Sequence, residues 1–176
     1  MIYYSNKNIV IREMQEDDID IFVKEELLQC WHSDRSKFLA RIKDQSNGKC
    51  ISLVALYEGH PVGYVSVYIN GLDDYINKKR VPEIVDIAVL EKYRNQGIGS
   101  ILMDISEEVA KHYSDEVWLA VGLHSGYGSA QRMYIKRGYV PDGTGIWYQG
   151  KQCKQYEKGI TNDDDLVLFL NKKLRQ

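Results

Sequence analysis

The chain has 176 residues, a length that suits one domain with a sizeable hydrophobic core. Its 25 acidic and 23 basic residues nearly balance, so the charge indicates neither a nucleic-acid surface nor a polybasic membrane surface. The three cysteines are widely spaced and no run of about 18 apolar residues occurs, which disfavours a disulfide framework, a zinc site and a membrane span. We therefore predict a single domain over residues 1–176 that is cytoplasmic and holds no metal.

The first quarter of the chain is predicted to contain a strand and two helices. Residues 8–13 alternate as a strand, and the acidic stretch 15–18, Gln-Glu-Asp-Asp, suits the N-terminus of the first helix. A second helix is expected to begin with Ser33 or Asp34 as its cap and to stop at 47–48, which is Asn-Gly. The first helix is expected to carry the apolar residues Ile19, Phe22 and Val23, with Leu27 as a further candidate, and the second to run through Phe38, Leu39 and Ile42.

Two apolar strands and a polar connection follow the helices. Residues 50–57 and 62–69 read as strands that form a hairpin across residues 58–61. Residues 70–80 are mostly polar and lead into the next strand. This connection is expected to line a substrate mouth.

An apolar run rich in β-branched residues forms the predicted central strand. Val85, Ile87 and Val89 fall on one side of a two-residue period. Ile84 and Ala88 fall on the other side, so we expect the strand to be buried on both faces.

A loop and a helix follow the central strand. From Ile98 onward, apolar residues recur at three- and four-residue steps, which predicts a helix with one buried stripe. Gly97 and Gly99 allow the backbone to approach a ligand closely. The N–H groups of the first helical turn have no partners within the helix and point toward a bound anion. The loop therefore suits a phosphate or pyrophosphate.

The C-terminal third is predicted to contain a strand, a flexible loop and a helix. Residues 116–121 form a strand parallel to the central one, because a helix connects the two. After the loop at 122–128, a helix begins near Ser129 and ends at Gly138. The remaining predicted elements are a turn over 139–143 and short strands at 146–148 and 166–170.

Two common phosphate-binding loops do not fit the central stretch. A Walker loop needs Gly-Lys, whereas Gly99 is followed by Ser100. A dinucleotide fingerprint needs a small residue three positions after Gly99, where Leu102 stands, and an acidic residue at the end of a second strand, which this chain lacks at the expected distance. What remains is Arg94-x-x-Gly97-x-Gly99 after a buried strand.

That pattern resembles the coenzyme A pyrophosphate loop of the GNAT superfamily of N-acetyltransferases, and the order of elements resembles that fold over nearly the whole chain. The resemblance implies an α+β fold, built on a mixed α/β sheet of six to seven strands flanked by about four helices. It also implies that the sheet splays apart between its fourth and fifth strands, which here are 81–90 and 116–121.

The resemblance implies acetyl-coenzyme A as the cofactor, bound in the gap between those two strands. Its pantetheine arm would pair with the backbone of Ile87, Ala88 and Val89. Its phosphates would meet the loop, whose candidate residues are Arg94, Asn95, Gln96, Gly97, Ile98, Gly99 and Ser100. Lys92 and Arg132 are further candidates for phosphate contacts, with solvated surface charges as the alternative interpretation.

Acetyl transfer from a thioester to an amine needs a neutral amine, stabilisation of a tetrahedral oxyanion and a proton for the departing thiolate. The family often supplies the proton from a tyrosine within an Ala-x-x-x-Tyr-x-x-x-Gly-aromatic pattern, reproduced here by Ala130, Tyr134, Gly138 and Tyr139. A phenol with a pKa of about 10 stays protonated at neutral pH and can donate to a thiolate. Tyr134 is therefore the candidate general acid, and packing of its helix is the alternative role.

Glu83 and Asp86 are the candidate general bases, and the choice between them stays open. Some family members place a glutamate where Glu83 stands; the alternative is a solvated carboxylate after Pro82. Asp86 lies between apolar residues, so it must be paired or face a polar cleft, and binding the substrate ammonium is a second role for it. A regular strand puts the two carboxylates on opposite sides, so both reach one cleft only across a β-bulge, which the family often has here.

Other polar residues are weaker candidates. Tyr127 stands where many family members carry asparagine, and Ser125 and Ser129 are the candidates to replace that asparagine. His124 follows the strand at 116–121 and is a candidate proton relay, whereas the histidines as a group lack metal-ligand spacing. The acidic residues that would suit a cationic acceptor amine are Glu25, Glu26 and Asp34.

The sequence thus predicts an N-acetyltransferase that moves an acetyl group directly to a primary amine of a small molecule or peptide. The alternative is a non-catalytic module that binds or senses acyl-coenzyme A, a hypothesis motivated by Tyr127 and by the unsettled base. An aminoglycoside- or polyamine-modifying enzyme is a narrower form of the first hypothesis. No nucleic-acid or membrane partner is expected, and both the acceptor and a homodimeric state are left open.

Overall fold

A computed structural model describes residues 1–174 of the chain. The strands are Ile2–Ser5 (β1), Ile9–Glu13 (β2), Cys50–Tyr57 (β3), His60–Tyr68 (β4), Glu83–Val89 (β5), Glu116–Gly122 (β6), Val140–Tyr148 (β7), Lys151–Gln152 (β8) and Leu166–Lys173 (β9). The helices are Glu16–Leu28 (α1), Arg35–Ser46 (α2), Asp74–Asn77 (α3), Ile98–Lys111 (α4) and Gly128–Lys136 (α5). Within these residues one mixed sheet runs in the order β1-β2-β3-β4-β5-β6-β9-β7-β8, and this α+β architecture confirms the predicted fold class.

The helices α1 and α2 cover one face of the N-terminal half of the sheet. Phe22 of α1 and Phe38 of α2 pack around Tyr64 of β4, with ring centroids 5.0 and 5.2 Å from it. Asp34 caps α2, as predicted, by accepting a hydrogen bond from the Ser36 N–H at 2.8 Å. These aromatic contacts fix α2 above β4 and β5, which places its next turn close to the centre of the sheet.

Two apolar residues of these helices face solvent. Leu27 is 56% exposed and Leu39 is 40% exposed. Each residue in an α-helix turns by about 100°, so Leu39 points well away from its buried neighbour Phe38. Leu27 lies five residues after Phe22, which is about 140° around the helix.

The strand β5 contains a β-bulge opposite β4. Tyr64 pairs with Ala88 and Ser66 pairs with Val85, so two residue steps on β4 oppose three on β5. Asp86 lies in this bulge with a φ of +55°, in the left-handed region that non-glycine residues seldom adopt. The bulge therefore sets the direction of the Asp86 side chain.

The bulge also changes which residues share a face of β5. Ile84, Ile87 and Val89 pack against the core beneath α4, whereas Ala88 packs against the cluster formed by α1 and α2. The predicted alternation, with Val85, Ile87 and Val89 on one face, is therefore wrong. The extra residue shifts the pleat by one position after Val85.

The parallel strands β5 and β6 touch only at their N-terminal ends. In residues 1–174 their pairing is limited to Glu83 with Trp118, where the Trp118 N–H donates to the Pro82 carbonyl at 2.9 Å. Beyond this point the strands separate, and residues 87–89 are only half-buried. The predicted splay is confirmed; it falls between the fifth and sixth strands because β1 was not predicted. Burial of β5 on both faces holds only for its first two residues.

The C-terminal strands also differ from the prediction. β9 lies between β6 and β7 and is antiparallel to both. β7 pairs with β9 at residues 140–141 and 146–148, and Gly143 and Gly145 interrupt the pairing with φ of +87° and +79°. The predicted turn over 139–143 is therefore wrong, because the glycines break the ladder without reversing the chain.

The sheet in the described residues has more strands than the six to seven predicted. The two strands with no counterpart in the prediction are β1 and β8, which have four and two residues. Strands this short carry too few residues for a clear alternating pattern. None of the helices in residues 1–174 is long and apolar enough to cross a membrane.

Candidate active site

The gap between β5 and β6 forms the candidate site. Past Glu83, no strand in residues 1–174 pairs with the side of β5 that faces the gap, so the backbone groups on that side lack strand partners. Unpaired N–H and C=O groups at a sheet edge accept an extended ligand as an added strand. Ile87, Ala88 and Val89, the predicted pantetheine contacts, lie on this open edge.

The loop from β5 to α4 presents an open helix N-terminus. Asn95 and Gly97 have φ of +61° and +80°, and Gly97 is the N-cap residue of α4. No side chain caps α4 among the described residues, so the N–H groups from Ile98 to Ser100 are available to an anion. The buried side chain of Ile98 anchors this turn, while Gln96 and Ser100 are exposed.

Arg94 folds back over the loop. Its Nε donates to the Val89 carbonyl at 3.3 Å, and its guanidinium lies 5.2 Å from the centre of the Trp31 ring. Lys92 forms a salt bridge with Glu25 at 2.7 Å, which ties the loop to α1. Arg94 thus lies beside the open edge of β5. The position of Lys92 fits an ordinary surface charge better than a phosphate contact.

Glu83 is a buried carboxylate at the point where β5 and β6 part. It is 4% exposed, and its Oε2 accepts hydrogen bonds from the N–H groups of Leu72 at 2.7 Å and Asp73 at 2.9 Å. Burial raises the pKa of Glu83 to about 7, against the opposing effects of these N–H groups and of the Arg41 charge. Its Oε1 accepts no hydrogen bond from residues 1–174. The solvated alternative for Glu83 is therefore wrong.

Asp86, in the bulge, is paired with Arg41 of α2. The Nη2 and Nε atoms of Arg41 donate to Asp86 Oδ2 at 2.6 and 3.1 Å. Arg41 Nη1 donates to the Tyr68 hydroxyl at 2.8 Å, and that hydroxyl donates to Asp44 at 2.7 Å. The Asp86 side chain is 32% exposed, and its Oδ1 accepts no hydrogen bond within the described chain. Asp86 is thus paired, as expected, in a more open position than the sequence suggested.

The acidic residues near the connection of α1 and α2 are all engaged within the protein. Glu26 is fully buried, and its two oxygens accept hydrogen bonds from the hydroxyls of Tyr64 and Ser33, each at 2.5 Å. Glu25 binds the lysine of the loop, and Asp34 caps α2. These carboxylates stabilise the fold. They therefore do not support the hypothesis of an aminoglycoside- or polyamine-modifying enzyme, which was based on them.

Tyr134 lies in α5 with its ring in the core shared with α4. Gly138, with a φ of +88°, follows the end of the helix, and the Tyr139 N–H donates to the Tyr134 carbonyl at 3.0 Å. Burial, and then the nearby Tyr127, raises the pKa of Tyr134 above its usual value. Its hydroxyl makes no hydrogen bond to any other residue in 1–174, so its proton is not engaged by another side chain.

Tyr127 belongs to a small polar cluster after β6. Its hydroxyl donates to Asp164 Oδ1 at 3.0 Å, and its ring lies so close to Gly122 that a Cβ there would be 2.4 Å away. His124 Nδ1 accepts from the Gly126 N–H at 3.1 Å, so Nε2 carries the proton that it donates to the same Asp164 oxygen at 2.9 Å. Both ring nitrogens of His124 are occupied, which disfavours the proton-relay role.

The sheet separates the candidate acid from the two candidate bases. Glu83 pairs opposite Tyr68, and Arg41 contacts both Tyr68 and Asp86, so the two carboxylates face α2. The expected β-bulge is present and brings the second carboxylate to the face of the first. Tyr134 packs on the other face, with α4. The gap between β5 and β6 is the place where groups on the two faces can reach one ligand.

Two residues of the site were missed in the sequence. Arg41 lies three residues after the buried Phe38, on the side of α2 that faces the sheet, and this helical spacing was an available signal. Asp164 lies in an acidic run between β8 and β9, and nothing in its spacing indicates that it meets His124. Only the folded chain brings that loop to the end of β6.

The sequence profile of the acetyltransferase (GNAT) family matches residues 11–139. No protein of curated function matches the sequence significantly.

Solved structures share the fold over nearly the full chain. RimL, a ribosomal alpha-N-protein acetyltransferase, has a TM-score of 0.71 and 14% identity, covering 99% of this chain and 94% of that one. Ard1 from Thermoplasma volcanium has a TM-score of 0.70 and 19% identity, covering 96% and 99%. YncA from Salmonella typhimurium, solved with its cofactor acetyl-CoA, has a TM-score of 0.67 and 15% identity, covering 97% and 96%. At these identities the likeness is one of fold.

Proposed function

Since this chain belongs to the acetyltransferase (GNAT) family, whose members use acetyl-coenzyme A, we propose that it is an N-acetyltransferase for a primary amine of a small molecule or peptide. Transfer is direct, with both substrates bound together. The observation that carries the proposal is Glu83, a buried carboxylate with a pKa of about 7 at the closed end of the gap, where β5 and β6 part. The activity in the name of RimL supports including peptide amines among the acceptors.

The residues around the gap fit the cofactor, which supplies an acetyl group activated as a thioester when it is bound. The open edge of β5 at 87–89 offers backbone groups to the amides of pantetheine. The N–H groups of residues 96–100, which no side chain caps in the described chain, suit the pyrophosphate. Arg94 and Asn95, both exposed at the start of the loop, are proposed to contact the phosphates as well.

Glu83 is proposed to remove the proton from the acceptor ammonium. With a pKa of about 7, a large fraction of its carboxylate is ionised at neutral pH and remains basic enough to accept a proton. The N–H groups of Leu72 and Asp73 hold Oε2 in place. This leaves Oε1 to accept the proton, either directly or through a water molecule.

Asp86 suits positioning of the acceptor better than proton abstraction. Two hydrogen bonds from Arg41 occupy Oδ2, whereas Oδ1 is unbonded within residues 1–174 and reaches a partly exposed surface. Oδ1 is proposed to accept a hydrogen bond from the amine and hold it near Glu83. The bulge puts both carboxylates on one face, so both are proposed to line the acceptor site.

Tyr134 is proposed to donate a proton to the departing thiolate. Burial keeps the phenol protonated through the neutral pH range, and its hydroxyl has no competing partner in the described chain. It lies on the face of the sheet opposite Glu83. The acid and the base therefore approach the reacting group from two sides of the gap.

Acetylation of a panel of amines tests the proposal. The protein is mixed with acetyl-CoA and small amines or peptides with varied N-termini, and both free thiol and acetylated product are measured. We expect the two to appear together for at least one acceptor, and Glu83→Gln to lower kcat/KM by about 100-fold. Glu58→Gln, at an exposed hairpin turn, is the matched control. Tight acetyl-CoA binding by calorimetry, with no thiol released across the panel, would instead support the binding-module hypothesis.

A further inference from the structure

A cluster of aromatic rings lies beside Glu83. The centre of the Tyr75 ring is 4.5 Å from that of Trp147 and 5.0 Å from that of Phe169. It is 6.1 Å from the centre of the Trp118 ring, and Trp118 pairs with Glu83 across the parallel ladder. Paired residues in a ladder point their side chains to the same face of the sheet. The aromatic cluster therefore shares the face of the proposed base.

Hydrogen bonds hold two of these rings in place. The Tyr75 hydroxyl donates to Asp142 Oδ2 at 2.9 Å, and the Thr144 hydroxyl donates to Asp142 Oδ1 at 2.8 Å. Trp147 Nε1 in turn donates to Thr144 Oγ1 at 2.8 Å. A carboxylate that accepts from a phenol also raises the electron density of the ring, which strengthens its attraction for a cation.

The ammonium group of Lys79 lies against two rings of the cluster. Its Nζ is 4.6 Å from the centre of the Tyr75 ring and 4.7 Å from that of Trp118, both within cation–π range. Among residues 1–174 Lys79 has no carboxylate partner and makes no side-chain hydrogen bond, and it is exposed. An exposed lysine usually extends its ammonium into water. Here the two rings hold a primary ammonium, which is the functional group of the proposed acceptor.

We propose that Tyr75 and Trp118 form the subsite that binds the acceptor as an ammonium ion, and that Lys79 occupies this subsite until the acceptor displaces it. The inference rests on the proposed function, because it assigns the subsite to the amine that is acetylated. The rings select the charged form of the amine. The proton then passes from the nitrogen to Oε1 of Glu83, and the nitrogen keeps the electron pair of the broken N–H bond. The neutral amine is held more weakly by the rings and is free to attack the thioester.

Binding of tetramethylammonium, measured by ligand-observed NMR, tests the subsite without any reaction, because this cation has no proton to lose and cannot be acetylated. We expect Lys79→Ala, which empties the subsite, to bind it at least about threefold more tightly than the wild-type protein does. Lys78→Ala, which removes the neighbouring exposed lysine, is the matched control and should bind as the wild type does. Adding Tyr75→Leu to Lys79→Ala should abolish the gain. The uncharged analogue tert-butanol should not distinguish these proteins.

The proposal is overturned if tetramethylammonium binds the wild-type protein and Lys79→Ala equally, or if the gain in Lys79→Ala persists after Tyr75→Leu. For an amine that is acetylated, Lys79→Ala should also lower KM by about threefold, and an unchanged KM would contradict displacement of Lys79. The binding result is independent of the proposed function. If the probe binds as expected and no amine is acetylated, the ammonium subsite stands and the proposed function fails; if amines are acetylated and the probe does not discriminate, only the subsite fails.

Discussion

Replacing Glu83 with glutamine should stabilise the protein at alkaline pH and change its stability little at acidic pH. In the folded chain the pKa of Glu83 is raised from its ordinary 4.5 to about 7. The folded state therefore binds the proton more tightly than the unfolded state does, and this contribution to stability is fully present below about pH 4.5 and lost as the pH rises through about 7. Glutamine keeps an oxygen for the N–H groups of Leu72 and Asp73 but leaves no charge to bury.

The size of the effect follows from the shift in the pKa. One pKa unit corresponds to about 1.4 kcal/mol, so the burial of ionised Glu83 costs about 3 kcal/mol. Glu83 is 4% exposed, so solvent screening removes little of this cost. For a chain of this length, about 3 kcal/mol shifts the melting temperature by about 6 to 12 °C.

Urea unfolding at about pH 4 and about pH 8.5 measures this difference. At about pH 4 the free energies of unfolding of wild type and Glu83→Gln should nearly coincide, whereas at about pH 8.5 the variant should be about 3 kcal/mol more stable. The control Glu58→Gln removes an exposed carboxylate, and its free energy of unfolding should not diverge from that of the wild type between the two pH values. If the difference between wild type and Glu83→Gln is the same at both pH values, Glu83 does not have a raised pKa and its assignment as the base fails.

Three further predictions concern other parts of the site. Tyr134→Phe should keep its packing but lower kcat by at least about tenfold; full turnover at saturation across pH would remove the acid assignment. Gly97→Val puts a β-branched residue at a φ of +80° in the cofactor loop and should weaken acetyl-CoA binding sharply, as measured by calorimetry. The control Gly59→Val, at a turn with a φ of +84°, should bind acetyl-CoA as the wild-type protein does. If the two variants bind acetyl-CoA with equal affinity, the loop assignment is contradicted. Arg41→Ala leaves the partly exposed Asp86 unpaired and should cost about 1–2 kcal/mol in urea unfolding, with partial recovery on adding Asp86→Ala; no recovery would argue against the pair.

The loop and α4 could be predicted because the information that determines them is local. Apolar residues at three- and four-residue steps define the face of α4 that buries Leu102 and Val109. The left-handed φ at Gly97 is one that glycine adopts without steric cost. The cap of α2 depends on Asp34 and a residue two positions later. Patterns confined to a few residues can be read directly from the sequence.

The partners of the charged residues could not be predicted, because they come from distant parts of the chain. Asp86 and Arg41 are 45 residues apart, and His124 and Asp164 are 40 apart. Sequence spacing is informative over one or two helical turns only. The energetic cost of an unpaired charge predicted that Asp86 has a partner, but the identity of that partner depends on how α2 packs on the sheet.

The environment of Glu83 shows how tertiary structure overrides residue statistics. A glutamate after a proline at the start of a strand is usually solvated. In this protein the segment between β4 and β5 folds back, and the N–H groups of Leu72 and Asp73 cover the carboxylate. The sequence predicts that the same segment lines the substrate mouth. The burial that gives Glu83 its raised pKa thus arises from a loop whose course the sequence does not reveal.

The pH dependence of kcat/KM for an accepted amine tests most directly the claim that Glu83 is the base of an acetyl-CoA-dependent N-acetyltransferase. For the wild-type protein we predict a rising limb with an apparent pKa of about 7. For Glu83→Gln we predict a much lower rate without that limb, so that the remaining pH dependence follows the pKa of the amine itself. A Glu83→Gln protein that keeps both the wild-type rate and the limb near neutral pH would contradict the account.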